Sequence, residues 1–191
     1  MSILRSATDP AWVEVALSDL DATLGDHAHC EKKAVATAVK LVADHPDHPV
    51  LVRRLARLAQ EELTHFLAVL GELQRRGAQL PHDGGDPYVQ ALIKLIGGGG
   101  SVTTRLVDQL LVFALVEARS CERMLLLGER LPDARLRELY QRLAQSEAGH
   151  ETLFVELAVE LGGEAARARL AVLAEAEALI VAALPLLPRM H

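Results

Sequence analysis

The chain has 191 residues, of which 50% are hydrophobic, 24% charged and 3% aromatic, and its formal net charge is −6. That apolar content excludes a disordered chain, and the length suits one domain. Three Phe, two Tyr and one Trp offer few stacking platforms for single-stranded nucleic acid, and the acidic balance excludes a generally phosphate-coating surface. A core so poor in aromatics must be built from Leu, Val and Ala, which favours helices over sheets.

In chain order, Thr8-Asp9-Pro10 reads as a capped helix start with proline in the first turn. A short helix to about residue 16 leads, past Ser18-Asp19, into a long helix ending near residue 44. The stretch His45-Pro-Asp-His-Pro49 breaks the pattern, and a second long helix is expected over 50–76. Residues 77–100 read as a long crossover with a short helix at 88–96. The glycine run 97–100 is expected to be a hinge or helix stop, because no Gly-Lys-Ser/Thr follows to complete a P-loop. A third long helix is predicted over 101–129 and a fourth over 132–161, stopped by Gly162-Gly163. A last helix fills 164–184.

The most apolar stretch, 170–188, carries Glu175, Glu177 and Pro185, which argues against a membrane span. Residues 1–9 lack the charged-then-apolar design of a leader. Cys30 and Cys121 are too few for a disulfide framework. A reducing, cytoplasmic setting is expected, with both thiols packing as small apolar groups.

Short outer links make antiparallel neighbours, and a long central link carries the chain across a bundle. The expected fold class is therefore all-α. It is a ferritin-like four-helix bundle with a long crossover between helices two and three. Short extra helices are expected at the N-terminus, in the crossover and at the C-terminus, within one domain spanning 1–191.

The buried stripes carry the chemistry. Written at spacings of three and four, each long helix gives a row of apolar residues interrupted near its middle by one glutamate. These are Glu31, Glu62, Glu117 and Glu147, and the stripes contain no Lys or Arg. Four carboxylates in an apolar core need a cation among them. His65 and His150 each follow a glutamate by three positions, so Glu62/His65 and Glu147/His150 project from single faces. One Glu from each of two helices and Glu-x-x-His from each of the other two is the recipe of a dimetal carboxylate bundle. Glu31 precedes Glu62, and Glu117 precedes Glu147, at nearly equal distances, so the pattern repeats. The six expected ligands are Glu31, Glu62, His65, Glu117, Glu147 and His150. His27, Glu61 and Ser120 are candidates to orient them or line the pocket. Glu122 lies off the stripe, and Tyr140 is expected to pack in the core.

The runs His29-Cys-Glu-Lys-Lys-Ala34, Glu61-Glu-Leu-Thr-His65, Glu117-Ala-Arg-Ser-Cys-Glu-Arg123 and Ser146-Glu-Ala-Gly-His-Glu151 together resemble the bacterial tRNA 2-methylthio-N6-isopentenyladenosine hydroxylase family. The resemblance implies a non-haem di-iron monooxygenase that hydroxylates the isopentenyl chain of the modified adenosine beside the anticodon. Glu62 and Glu147 would bridge two iron ions, placed ahead of manganese, while Glu31 and Glu117 would be terminal ligands with the two histidines. Dioxygen would be the co-substrate, with two electrons from an external reductase or ferredoxin. Such an enzyme would be a cytoplasmic monomer or small oligomer binding tRNA, with Lys32, Lys33, Arg119 and Arg123 as candidate contacts. The competing expectations are a ferritin-like iron-handling protein and a dimanganese catalase-like protein, both without a tRNA substrate.

Overall fold

The computed structural model describes residues 2–97 and 99–191. Among them every regular element is helical, in six helices: α1 (Ala11–Ser18), α2 (Leu20–Asp44), α3 (Pro49–Arg75), α4 (Pro87–Ile93), α5 (Val102–Arg130) and α6 (Ala134–Ala183). Boundaries of the long helices before α6 lie within about two residues of those read from the pattern of apolar spacing and capping residues, while α4 ends three residues before the expected 96. The expected hinge at 97–100 includes Gly98, which lies outside the described residues.

Side chains placed by sequence fix the helix starts. Asp19 accepts from the Ala22 amide at 3.0 Å, Asp86 from Val89 at 3.0 Å and Ser101 from Thr104 at 3.1 Å. Asp133 accepts from Arg135 at 2.8 Å. Each satisfies an amide that the first helical turn leaves without an internal partner. The expected stop at Gly162-Gly163 takes a particular form. α6 continues beyond it, but Gly163 has φ 59° and ψ −141°, so the helical path breaks there and resumes. A residue with a Cβ would be strained at that φ.

Chain contacts divide the molecule into two compact units, 14–84 with 187–190, and 1–13 with 85–186 and 191. The first is built on the α2–α3 hairpin. Its connection is only four residues long, which makes the helices antiparallel neighbours. Leu24, Leu55, Val69 and Leu73 are fully buried within it. Gly25 serves close packing, since a Cβ there would lie 2.8 Å from the Pro81 ring.

The second unit pairs α5 with α6, joined by three residues, and adds α4. Leu106, Leu110, Leu115, Leu136 and Tyr140 are at most 1% exposed, and the rings of Phe113 and Phe154 meet at 5.9 Å. Asp108 takes two bonds of 2.9 Å from the Arg169 guanidinium and one of 3.1 Å from the Gly97 amide. Burial pushes its carboxyl up, but the Arg169 and Gly97 hydrogen bonds outweigh burial and hold it below the usual range.

A wholly buried ion pair ties α5 to the far part of α6. Arg119 Nε and Nη2 donate to Glu177 at 3.0 Å each, and both side chains are 0% exposed. Arg119 also donates to the Thr8 hydroxyl at 3.1 Å, to the Ser6 carbonyl at 3.0 Å and to Glu122. Replacing Arg119 by Met strands a buried carboxylate. The expected loss is about 3–5 kcal/mol of unfolding free energy, read from urea denaturation. Arg119→Lys recovers only part of it, because an ammonium cannot make the forked contact.

Candidate metal centre

Each hairpin carries the same donor set at the middle of its buried stripe. In the α2–α3 unit, Glu31 and Glu62 are 4% and 0% exposed. His65 Nδ1 lies 3.3 Å from Glu62 Oε2 and 3.8 Å from Glu31 Oε2, so one imidazole faces carboxylates from both helices. His27, one turn before Glu31 and fully buried, donates through Nε2 to Glu31 Oε1 at 2.7 Å. That bond fixes the carboxylate's orientation from behind, the role an outer partner plays for a metal ligand.

The α5–α6 unit repeats the arrangement. Glu117, Glu147 and His150 are 7%, 1% and 2% exposed, and His150 Nδ1 lies 3.0 Å from Glu147 Oε2. The same imidazole nitrogen faces the carboxylate in both hairpins, because Glu-x-x-His sets the two side chains one turn apart on one helical face in each. Two carboxylates and one imidazole per hairpin make a hard oxygen-and-nitrogen donor set that fits iron or manganese. A di-metal carboxylate centre needs twice that set.

A family model described as tRNA-(MS[2]IO[6]A)-hydroxylase (MiaE) matches residues 1–191. The chain belongs to this family. It is therefore a hydroxylase, an enzyme of the oxygenase class. A relative from Pseudomonas putida, named tRNA 2-(methylsulfanyl)-N(6)-isopentenyladenosine(37) hydroxylase, is 40% identical across 88% of this chain and 80% of its own length. A protein of the same name from Salmonella typhimurium is 27% identical across 93% of this chain and 83% of its own. Among solved structures, a Synechococcus protein described as "Protein 43 with aldehyde deformylating oxygenase activity" is 39% identical and has a TM-score of 0.93. The match covers 100% of this chain and 96% of that one. The fold is thus of the ferritin-like all-α class.

The structure revises some of the expected roles around these ligands. Arg119 is not a surface cation, since it is fully buried against Glu177, Glu122, Thr8 and Ser6. Arg123 is 8% exposed, with its guanidinium 4.9 Å from the centre of the Trp12 ring. Burial and then the charge of Arg119 lower its pKa to about 10, so it stays cationic at neutral pH. Neither arginine can meet a tRNA phosphate, because both are spent on packing the second unit. Ser120 is buried and its hydroxyl bonds His191 Nε2 at 2.8 Å. Glu61 is exposed, as are Lys32 and, in part, Lys33.

Several residues in this neighbourhood were not singled out by sequence. His191 Nδ1 meets Asp86 Oδ2 at 3.1 Å, and its ring stacks on Tyr88 at 5.0 Å. Tyr88 in turn donates to Glu177 Oε1 at 2.9 Å. Burial, then the Glu177 charge, pushes the Tyr88 phenol well above its usual range, so it remains a donor. Glu177 did carry a signal, an acidic residue one turn after Leu173 in an apolar run, the same signature as the stripe glutamates. Nothing local pointed to His191 or Asp86.

The Cys121 thiol donates to the Ala144 carbonyl at 3.3 Å. Burial, and next the charge of Glu147, push its pKa up to about 11. It therefore stays protonated until the pH approaches that value. At pH 8, iodoacetamide is expected to alkylate Cys121 about 100-fold more slowly in the folded protein than in urea, by peptide mass spectrometry.

Proposed function

We propose that the chain is a non-haem di-iron monooxygenase that hydroxylates the isopentenyl side chain of 2-methylthio-N6-isopentenyladenosine next to the tRNA anticodon, using O2 and two external electrons. The observation that carries this reading is the donor set of two buried glutamates and one histidine, repeated in both hairpins of a chain that belongs to a tRNA hydroxylase family. On this reading residues 1–191 act as one di-iron domain. Glu31, Glu62 and His65 together with Glu117, Glu147 and His150 would hold two iron ions. The bound metal supplies dioxygen activation at a C–H bond.

The protein's own residues do the rest. The His27 hydrogen bond orients the Glu31 carboxylate before metal arrives. The leucine stripes on either side of each glutamate exclude water from the carboxylates, which strengthens their attraction for a cation. Electrons come from a separate donor, a reductase or ferredoxin. No described helix is long and apolar enough to cross a membrane. A cytoplasmic monomer or small oligomer suits an enzyme that must admit tRNA.

A second reading comes from the Synechococcus neighbour, whose described activity is aldehyde deformylation. Its substrate would be an aldehyde that loses its formyl carbon, with no nucleic acid involved. The two readings share a metal centre and differ in substrate. Iron-loaded protein with reductant and air is expected to add one oxygen atom to the isopentenyl adenosine of modified tRNA, seen by nucleoside mass spectrometry. Product from an aldehyde with none from tRNA would reverse the assignment. Within the same reading, Glu62→Ala and His150→Ala are each expected to cut iron content to less than half that of the unaltered protein. His27→Ala keeps the ligands but weakens metal binding about 10–100-fold, measured by competition with a chromophoric chelator.

A further inference from the structure

Two lysines follow Glu31 directly, and both close on one carboxylate of the crossover. Lys32 Nζ lies 3.1 Å from Asp83 Oδ2, and Lys33 Nζ lies 3.6 Å from Asp83 Oδ1. The carboxylate is thus spread across two ammonium groups, one per oxygen. Two non-bridging oxygens of a phosphodiester make the same pair of contacts, since they too are acceptors on one tetrahedral or trigonal centre.

Lys32 is held by a second group besides the aspartate. His29 Nε2 donates to the Pro81 carbonyl at 2.8 Å, which leaves Nδ1 as an acceptor for Lys32 Nζ at 2.8 Å. Lys32 is therefore aimed by a buried histidine of its own helix. Pro81 is fixed as well, with its ring packed over Gly25 of α2. Asp83 comes two residues after this anchor and immediately before Gly84-Gly85, of which Gly85 has φ 80°. A glycine pair permits many backbone paths, so the aspartate can leave while Pro81 stays. Its side chain is 30% exposed, and those of Lys32 and Lys33 are 46% and 34% exposed. The Lys32–Asp83 pair, open to water, is weak and readily exchanged for a better-matched anion, whereas the Lys33 ammonium lies buried with Asp83 in place.

We propose that Lys32 and Lys33 form a docking point for a tRNA backbone phosphate, and that Asp83 occupies it as an internal stand-in until tRNA displaces it. The proposal rests on the tRNA reading above and adds the place and the switch. It puts a phosphate contact beside the α2 segment that carries Glu31, and gives an acidic protein a local way to bind a polyanion. It also adds a specificity device, because a ligand without anionic groups gains nothing by lifting Asp83 off the lysines.

The test uses the full-length iron-loaded protein and modified tRNA, with affinity read by fluorescence anisotropy at several salt concentrations. Lys32→Ala with Lys33→Ala is expected to weaken binding about 10-fold at low salt and to lower the salt slope by about 1.5. Asp83→Asn keeps the side chain's shape while freeing both lysines, and is expected to tighten binding several-fold. Unchanged affinity in the double lysine variant would overturn the proposal. So would Asp83→Asn weakening binding as much as lysine removal, the result of a purely structural clasp. Hydroxylation of tRNA by the unaltered protein is scored separately. If it occurs while both variants bind like the unaltered protein, this docking point fails and the enzymatic reading stands. If it is absent while the variants shift affinity as expected, the docking point stands and the reaction assignment fails.

Discussion

Burying carboxylates inside leucine-rich helical hairpins is the constraint on which the rest of this structure turns. An ionised carboxylate leaves water at a cost of several kcal/mol unless something cationic or hydrogen-bonding meets it. The protein meets that cost in two ways. Glu177 is answered by Arg119, Asp108 by Arg169, and Glu72 by Arg75 one turn along α3 at 3.0 Å. Glu31, Glu62 and Glu147 are instead met by imidazoles, in an arrangement that recurs in both hairpins. Repetition separates the two groups physically. A structural ion pair is made once, wherever an arginine reaches, whereas a centre built for two equivalent ions needs its donor set twice.

The charge distribution follows from the same division. Two of the arginines nearest Glu117 in sequence are consumed by the interior of the second unit, one by Glu177 and one beneath Trp12. They stiffen the helix that carries Glu117 without facing solvent. On the proposed reading, an enzyme of net charge −6 meets its polyanionic substrate through exposed cations, among them the lysines after Glu31. On the same proposal, holding them against Asp83 limits non-specific attraction to other polyanions.

Much of the architecture was legible because it rests on local physics. The helix limits follow from Asp19, Asp86, Ser101 and Asp133 at the caps, and from proline and glycine at the breaks. The stripe glutamates stand out because a single strand of sequence shows both the apolar period and its interruption. Arg119 misled for the complementary reason. A basic residue beside a ligand reads as a surface cation until its partner, 58 positions away on α6, is brought to it. Asp83 likewise gives no sign in sequence that it lies on Lys32, 51 positions earlier.

The sequence by itself thus determined the all-helical fold, the two hairpins with their long crossover, and the six residues whose types and spacings suit a dimetal centre. These depend on periods of three and four residues and on capping chemistry, which act within a turn or two of helix. The tertiary structure decided which buried charges are neutralised by arginine, which nitrogen of each histidine faces its glutamate, and which basic residues reach water. Those outcomes depend on distances between segments far apart in the chain, and electrostatic energy in a poorly polarisable interior is set by distance rather than by sequence position.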